Sequence, residues 1–189
     1  MKRSFLPLAL LALPLTLSAE ESSAIPLAGT WQVAITAPVS REQNAGVAAD
    51  PGISVAAKQI AGGQDPAPEQ IQSRTVPMSW TSYGDPWTKF DGEAVFWRTF
   101  EVPSPGNQPW ELSLSSIDDF DTTWINGEIV GSTDKSRPGF WAFRRVYTVP
   151  PGLLKAGPNR IVVRVFDQMG DGGFSGRPKE LCLKPKVTK

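Results

Sequence analysis

The sequence predicts an all-β protein, a galactose-binding-like jelly-roll β-sandwich of two antiparallel sheets with one long irregular insertion. Three observations support this fold class. Short runs of β-forming residues recur along the chain, glycine and proline separate them at intervals of about 8–12 residues, and helical periodicity is almost absent. The 17 glycines and 18 prolines suit such frequent turns. We place one domain over residues 27–184, followed by a short C-terminal tail over 185–189.

The first 19 residues have the pattern of a secretory signal peptide. Lys2 and Arg3 form a basic start, residues 5–17 are apolar, and the segment ends at the small residue Ala19. We therefore expect cleavage, a short N-terminal tail over 20–26, and a periplasmic or secreted protein. The apolar run is too short for a stable membrane anchor, so we expect no membrane insertion after cleavage.

Eight segments carry the residues expected of strands. The most regular covers 159–167, where Ile161, Val163 and Val165 share one face and are expected to point inward. Residues 151–157 suggest a helical turn. The other predicted strands are 29–37, 94–103, 110–117, 120–125, 128–132, 144–150 and 179–185.

The insertion covers residues 38–73. It is rich in alanine, glycine, proline and glutamine and contains no aromatic residue. Because it offers few apolar anchors, we expect a mobile insertion rather than a binding loop. Within it, residues 52–63 are compatible with a short helix or strand.

A β-hairpin is predicted around Asn126 and Gly127, the pair that a type I′ turn favours. Alternation along the preceding strand places Ile125 towards the core and Trp124 on the opposite face. There the Trp124 ring either stacks on a sugar or is covered by the insertion, and both interpretations stay open.

Three carboxylates precede this hairpin, at Asp118, Asp119 and Asp121. They offer oxygen ligands for calcium, but the residue order of a calcium loop is missing, so a solvated acidic turn is the favoured interpretation and no cofactor is expected. A structural calcium ion is the less favoured alternative. Arg98 lies on an apolar strand face, and we expect it to form a structural ion pair with an acid of this turn.

The composition excludes several classes of function. The chain has no histidine and one cysteine, which rules out Ser-His-Asp and Cys-His catalysis and nearly all zinc sites. The 19 basic and 19 acidic residues balance, so nothing in the charge favours nucleic acid. Glycoside hydrolysis by two carboxylates remains chemically open.

The block from SSIDDFDTTWING to VRVFDQMGDGGFSG resembles the β-sandwich segment of bacterial sialate O-acetylesterases. It is similar, more loosely, to the sugar-binding domain of glycoside hydrolase family 2. The upstream stretches LAGTW, VPMSW and FDGEAVFWRTFEVP fit the same pattern, and the resemblance covers nearly all of 27–183. It implies a galactose-binding-like jelly roll with an accessory role in sugar-acting enzymes.

The chain departs from both families where catalysis is concerned. It lacks the esterase's serine segment and histidine, and it has no βα repeats from which to build a hydrolase barrel. The sequence therefore predicts an exported, non-catalytic domain that binds carbohydrate or a separate sugar-processing enzyme. Two alternatives remain: a subunit of a split hydrolase or esterase, and a purely structural module that binds a partner protein.

Five residues are candidates for contact with a ligand. In family 2 hydrolases, an aspartate after the matching strand faces the sugar site, and the resemblance transfers this role to Asp167. Asp171 lies in the glycine-rich loop that follows, where glycines allow close approach of a ligand. Trp87 and Trp141 lie in loops and either plug the sandwich or supply a stacking surface for a sugar. Trp124, on the strand before the hairpin turn, is the fifth candidate and could also stack on a sugar.

Overall fold

Two antiparallel sheets form the protein in the computed structural model, which describes residues 24–39 and 50–186. The predicted all-β sandwich is therefore confirmed. The predicted signal peptide, residues 20–23 of the predicted tail and residues 187–189 lie outside the described residues. Within the described part of the chain, no helix has the length and hydropathy needed to cross a membrane.

The larger sheet has six strands. In spatial order the strands are β3 (Gln72–Val76), β2 (Gly29–Val39), β4 (Asp91–Val102), β9 (Gly157–Asp167), β6 (Phe120–Ile125) and β7 (Glu128–Thr133). The centre of the sheet is the long pair β4 and β9, which stay in register from Gly92 opposite Asp167 to Val102 opposite Gly157.

The smaller sheet is organised around one strand with partners on both sides. These five strands are β1 (Ile25–Pro26), β11 (Leu181–Pro185), β5 (Trp110–Asp118), β10 (Gly173–Ser175) and β8 (Arg144–Val149). β11 and β10 follow one another along one edge of β5, and β8 pairs along the other. Residues of β1 were expected to form a tail, but Ile25 and Pro26 pair with β11.

The main core fills the space between the sheets. Ile161, Val163 and Val165 are fully buried in it, as the alternation along 159–167 predicts. Side chains of β5 and β11 face them from the smaller sheet, among them Leu112 and Leu183. Residues 151–157 form turns up to the start of β9 rather than the expected helical turn.

A second apolar cluster lies on the outer face of the larger sheet, and it corrects the prediction for 38–73. Helix α1 (Val55–Ala61) packs Ala57, Ile60 and Ala61 against the rings of Trp97 and Trp124. Small side chains suffice here because the two tryptophans supply most of the apolar area. The segment from 50 to 73 is thus anchored to the sheet, while residues 40–49 lie outside the described part.

Two arginines of β9 attach the helical segment to the sheet. Arg164 is buried and pairs with both Glu93 and Asp50, and it also donates to the carbonyl of Gly52 at 3.0 Å. Arg160 pairs with Asp65 beyond the helix. Charged side chains on the outer face of β9 therefore hold the segment on both sides of α1.

Candidate functional site

One end of the sandwich collects the carboxylates that the sequence places in two distant segments. Asp118 ends β5, and β6 starts at Phe120, which lies opposite Phe166 near the end of β9. In the turn between these strands, the backbone N–H of Asp119 donates to the carbonyl of Phe166 at 3.3 Å. Strand pairing therefore brings the turn beside Asp167, the last residue of β9.

Asp118, Asp119 and Asp167 form a group that we call the aspartate cluster. One carboxylate oxygen from each lies within 4.8 Å of the others. Asp119 and Asp167 are buried, and Asp118 is partly exposed. The acidic turn is therefore not the solvated feature that the sequence predicted.

Burial and mutual repulsion disfavour the charged forms of this cluster. The pKa of Asp167 is raised to about 8, first by burial and then by the negative charges of Asp119 and Asp91. The pKa of Asp118 is likewise raised to about 8, by burial, by a hydrogen bond with the Asp119 carboxyl, and by the charges of Asp119 and Asp171. Asp118 and Asp167 therefore keep their protons to higher pH than a solvent-exposed aspartate does.

Asp167 was predicted to contact a ligand, and its burial corrects that prediction. Its side chain is fully buried, so no glycan can reach it. Oδ1 accepts a 3.3 Å hydrogen bond from the backbone N–H of Met169, so the side chain caps the turn that follows β9. Oδ2 is also buried and has no hydrogen-bond partner among the described residues.

Asp171 is exposed, as a ligand contact requires. Its Oδ1 accepts hydrogen bonds from the hydroxyls of Ser79 and, at 2.8 Å, Thr81. The neighbouring glycine leaves room for Trp80 rather than for a ligand, because a Cβ at Gly172 would lie 2.0 Å from that ring.

The tryptophans differ sharply in accessibility. Trp87 is fully buried in an aromatic cluster, and its Nε1 donates to Gln72 at 2.9 Å. Trp124 is covered by α1. Of the two alternatives for each ring, the sugar-stacking one is therefore wrong: Trp87 fills the sandwich and Trp124 is covered by the insertion. Trp141 is 53% exposed, and its ring packs nearly perpendicular to that of Phe140, with the ring centroids 5.1 Å apart.

Asp121 belongs to a buried ion pair beneath the site. Its Oδ1 accepts from Nε of Arg145 at 2.9 Å, and the hydroxyl of Tyr147 donates to both oxygens at 2.9 Å. Burial raises the pKa of Asp121, while the interactions with Arg145 and Tyr147 oppose that rise. Arg145 also donates to the carbonyl of Asp119 at 2.6 Å, so it holds the acidic turn in place.

The partner expected for Arg98 was wrong. Arg98 donates from one nitrogen to the carbonyls of Leu27 and Ala28, each at 3.0 Å. Arg98 lies opposite Ile161, whereas Asp121 lies opposite Val165 on the other side of β9. Ile161 and Val165 are four residues apart, so the two side chains are offset by about 13 Å along the strand direction. Burial lowers the pKa of Arg98.

The hairpin has its predicted turn. Asn126 and Gly127 have φ values of 51° and 89°, as a type I′ turn requires. The Asn126 side chain also donates to the carbonyl of Leu153 at 2.9 Å and accepts from the backbone N–H of Arg160 at 2.9 Å. Its structural role thus extends beyond the turn to the loop that precedes β9.

A cavity of about 350 Å³ lies away from these carboxylates. It opens between α1 and β2 and is lined by Ala34, Thr36, Gln59 and Gln64, among others. It contains none of the residues singled out from the sequence.

Comparisons with known proteins place the fold. No family model matches the chain, and no curated protein does. Among solved structures, the β-glucuronidase of Faecalibacterium prausnitzii matches 79% of this chain with a TM-score of 0.56 and 18% identity. A β-glucuronidase of Bifidobacterium dentium, in complex with coumarin-3-O-glucuronide, matches 81% with 0.57 and 23%, and that of Ruminococcus gnavus matches 80% with 0.59 and 17%.

The chain shares its fold with a segment of β-glucuronidases. The matches cover 21–22% of those three proteins, so this chain spans about a fifth of their length. This likeness agrees with the resemblance to the sandwich domain of glycoside hydrolase family 2. Identities of 17–23% support the fold and not a shared activity.

Sequence reasoning missed Arg145, the cation that organises this end of the sandwich. A signal was present, because Arg145 alternates with Tyr147 and Val149 on the inward face of β8 while Arg144 faces out. It also missed Gln168, whose backbone N–H donates to Asp119 Oδ2 at 2.9 Å.

Proposed function

We propose that the chain is an exported, non-catalytic carbohydrate-binding domain that serves as an accessory to a separate sugar-processing enzyme. Its ligand surface is formed by Trp141, Asp118 and Asp171. The fold supports this role, since the chain resembles one segment of β-glucuronidases, which are glycoside hydrolases. The export signal at the N-terminus is consistent with a glycan outside the cytoplasm.

The observation that carries the proposal is a series of aromatic contacts that leads from the acidic turn to an exposed ring. Phe120, which directly follows the acidic turn, packs on Phe140 at 4.8 Å between ring centroids, and Phe140 contacts Trp141. A pyranose presents C–H groups to an aromatic face and hydroxyls to acceptors at its rim. Trp141 offers that face, and Asp118 and Asp171 offer acceptors.

The carboxylates are poorly arranged for hydrolysis by this domain alone. Retaining glycosidases place two carboxyl groups about 5–5.5 Å apart on either side of the scissile bond. The oxygens of the aspartate cluster lie within 4.8 Å, but two of its three members are buried, so no sugar ring can lie between them. This supports an accessory role.

Binding is tested with two matched variants. We expect Trp141→Ala to weaken binding of the best glycan-array hit by about 1–2 kcal/mol, because the stacking face is lost. Ile129→Ala is the control: it removes a similarly exposed apolar side chain next to the hairpin turn, away from the acidic turn. Calorimetric titration measures both. Equal affinities for the two variants, or no array hit at all, would refute the proposed surface.

Catalysis is tested separately. We expect the purified protein to leave aryl β-glucuronides, other aryl glycosides and p-nitrophenyl acetate unchanged, because it has no histidine and because two carboxyl groups of the aspartate cluster are buried. Turnover that survives repurification and disappears in Asp118→Asn would instead establish an enzyme.

A further inference from the structure

We propose that the aspartate cluster, Asp118, Asp119 and Asp167, binds a calcium ion. The cluster joins the end of β5, the following turn and the end of β9. This site shares Asp118 with the proposed sugar-binding surface, but its other two ligands are buried, and calcium binding does not depend on sugar binding. It also differs from the calcium alternative considered from the sequence, in which Asp121 was the third ligand.

The spacing of the oxygens fits one common ion. Calcium holds its oxygen ligands at about 2.3–2.6 Å, so two ligands of one ion can be at most about 4.6–5.2 Å apart. The three carboxylate oxygens lie within 4.8 Å of one another. Magnesium, at about 2.0–2.1 Å, requires separations below about 4.2 Å and a nearly ideal octahedron. The upper limit of 4.8 Å is compatible with calcium and exceeds the separation that magnesium allows.

A second observation points to a ligand at this place. Asp167 Oδ2 is buried and has no hydrogen-bond partner among the described residues. A buried acceptor without a partner is costly, and buried carboxylates ordinarily pair with a cation or a donor. A glycan cannot reach this buried oxygen, whereas the partly exposed Asp118 brings one edge of the cluster to the surface.

Among the described residues, no arginine or lysine forms an ion pair with the cluster, although the charge of Arg145 favours the ionised form of Asp118. Arg145, the buried cation nearby, is committed to the carboxylate of Asp121 and to backbone carbonyls. Asp119 accepts from the backbone and side-chain nitrogens of Gln168 at 2.9 and 3.3 Å, which fixes its orientation without supplying a full charge. The orientation of Asp119 is therefore fixed in advance, and no ion pair with a described residue balances the negative charge of the cluster.

The donor set selects a hard cation. All three ligands are carboxylates, and the chain contains no histidine and a single cysteine, Cys182, which lies in β11. Carboxylate oxygens favour calcium or magnesium over zinc or copper. Three carboxylates supply between three and six of the six to eight oxygens that calcium takes, and water supplies the others.

The test uses the whole protein after removal of divalent ions. We expect calorimetric titration with CaCl2 to show one site, and thermal melts to show a higher Tm with calcium than with chelator. MgCl2 is expected to bind at least tenfold more weakly. No heat and no calcium-dependent shift in Tm would overturn the proposal, and equal affinity for magnesium would overturn the assignment to calcium.

Two variants locate the ion. Asp167→Asn keeps the shape of the side chain and removes the buried charge, so it is expected to fold at least as stably as wild type in chelator. It should bind calcium at least tenfold more weakly and lose the calcium-dependent shift in Tm. The control is Asp134→Asn, an exposed aspartate outside both the cluster and the proposed sugar-binding surface; it is expected to retain calcium binding. Wild-type calcium affinity in Asp167→Asn would place the ion elsewhere and overturn the proposal.

Discussion

Replacing Arg145 by methionine is expected to lower the free energy of unfolding by about 3–5 kcal/mol. The guanidinium is fully buried, and its loss leaves the buried carboxylate of Asp121 without its cation. The same substitution removes the hydrogen bond to the carbonyl of Asp119 and so loosens the acidic turn. Urea unfolding followed by tryptophan fluorescence measures the change.

The adjacent arginine provides the control for this prediction. Arg144 is exposed and lies 4.0 Å from Glu180, so Arg144→Met is expected to change stability by no more than about 0.5 kcal/mol. The double variant Arg145→Met/Asp121→Leu removes both charges and should recover part of the loss. If the two single arginine variants unfold alike, the buried ion pair does not stabilise this end of the sandwich.

Replacing Trp87 by alanine is expected to cost about 3–5 kcal/mol, the usual loss for a large buried aromatic side chain. Trp87 has no exposed surface and packs against Trp80, Tyr83 and Phe90, with ring centroids 5.4–5.8 Å apart. Alanine would leave a cavity that this aromatic cluster can fill only in part. Thermal and urea unfolding both report the loss.

Trp141→Ala, already required for the binding test, is the matched control. Its ring is about half exposed, so its removal is expected to change stability by no more than about 0.5 kcal/mol. Comparable melts for Trp87→Ala and wild type would contradict the position of Trp87 in the core. Together the two variants separate a structural tryptophan from one that is available to a ligand.

The strands were predictable because their signals are local. The alternation along 159–167 and the turn pair Asn126 and Gly127 each involve only a few consecutive residues. The structure shows both features as expected. Helix α1 was harder, because its apolar face is made of alanines and one isoleucine and becomes convincing only beneath Trp97 and Trp124. No local count of large aliphatic residues could indicate that cover.

The site was less predictable because it depends on pairing between distant segments. Asp118 and Asp167 were both singled out, but only the register of β6 against β9 brings them together. The alternation of residues along the strand correctly placed Arg98 on the inward face. Alternation does not show how far along the sheet a residue lies, so the acidic partner of Arg98 was assigned wrongly. Burial, which decides the roles of Trp87 and Asp167, is also a property of the assembled sheets.

The position of β9 has a consequence for the energetics of the whole domain. Its inward side chains fill the main core, its outward arginines hold the segment around α1, and its last residue, Asp167, completes the aspartate cluster. Perturbations in these three regions share one rigid backbone, and contacting sites do not respond independently. A double-mutant cycle that combines Val163→Ala with a change at the adjacent Arg164 should therefore show a coupling free energy. The pair Val163 and Asp167, about 13 Å apart along the strand, should be close to additive.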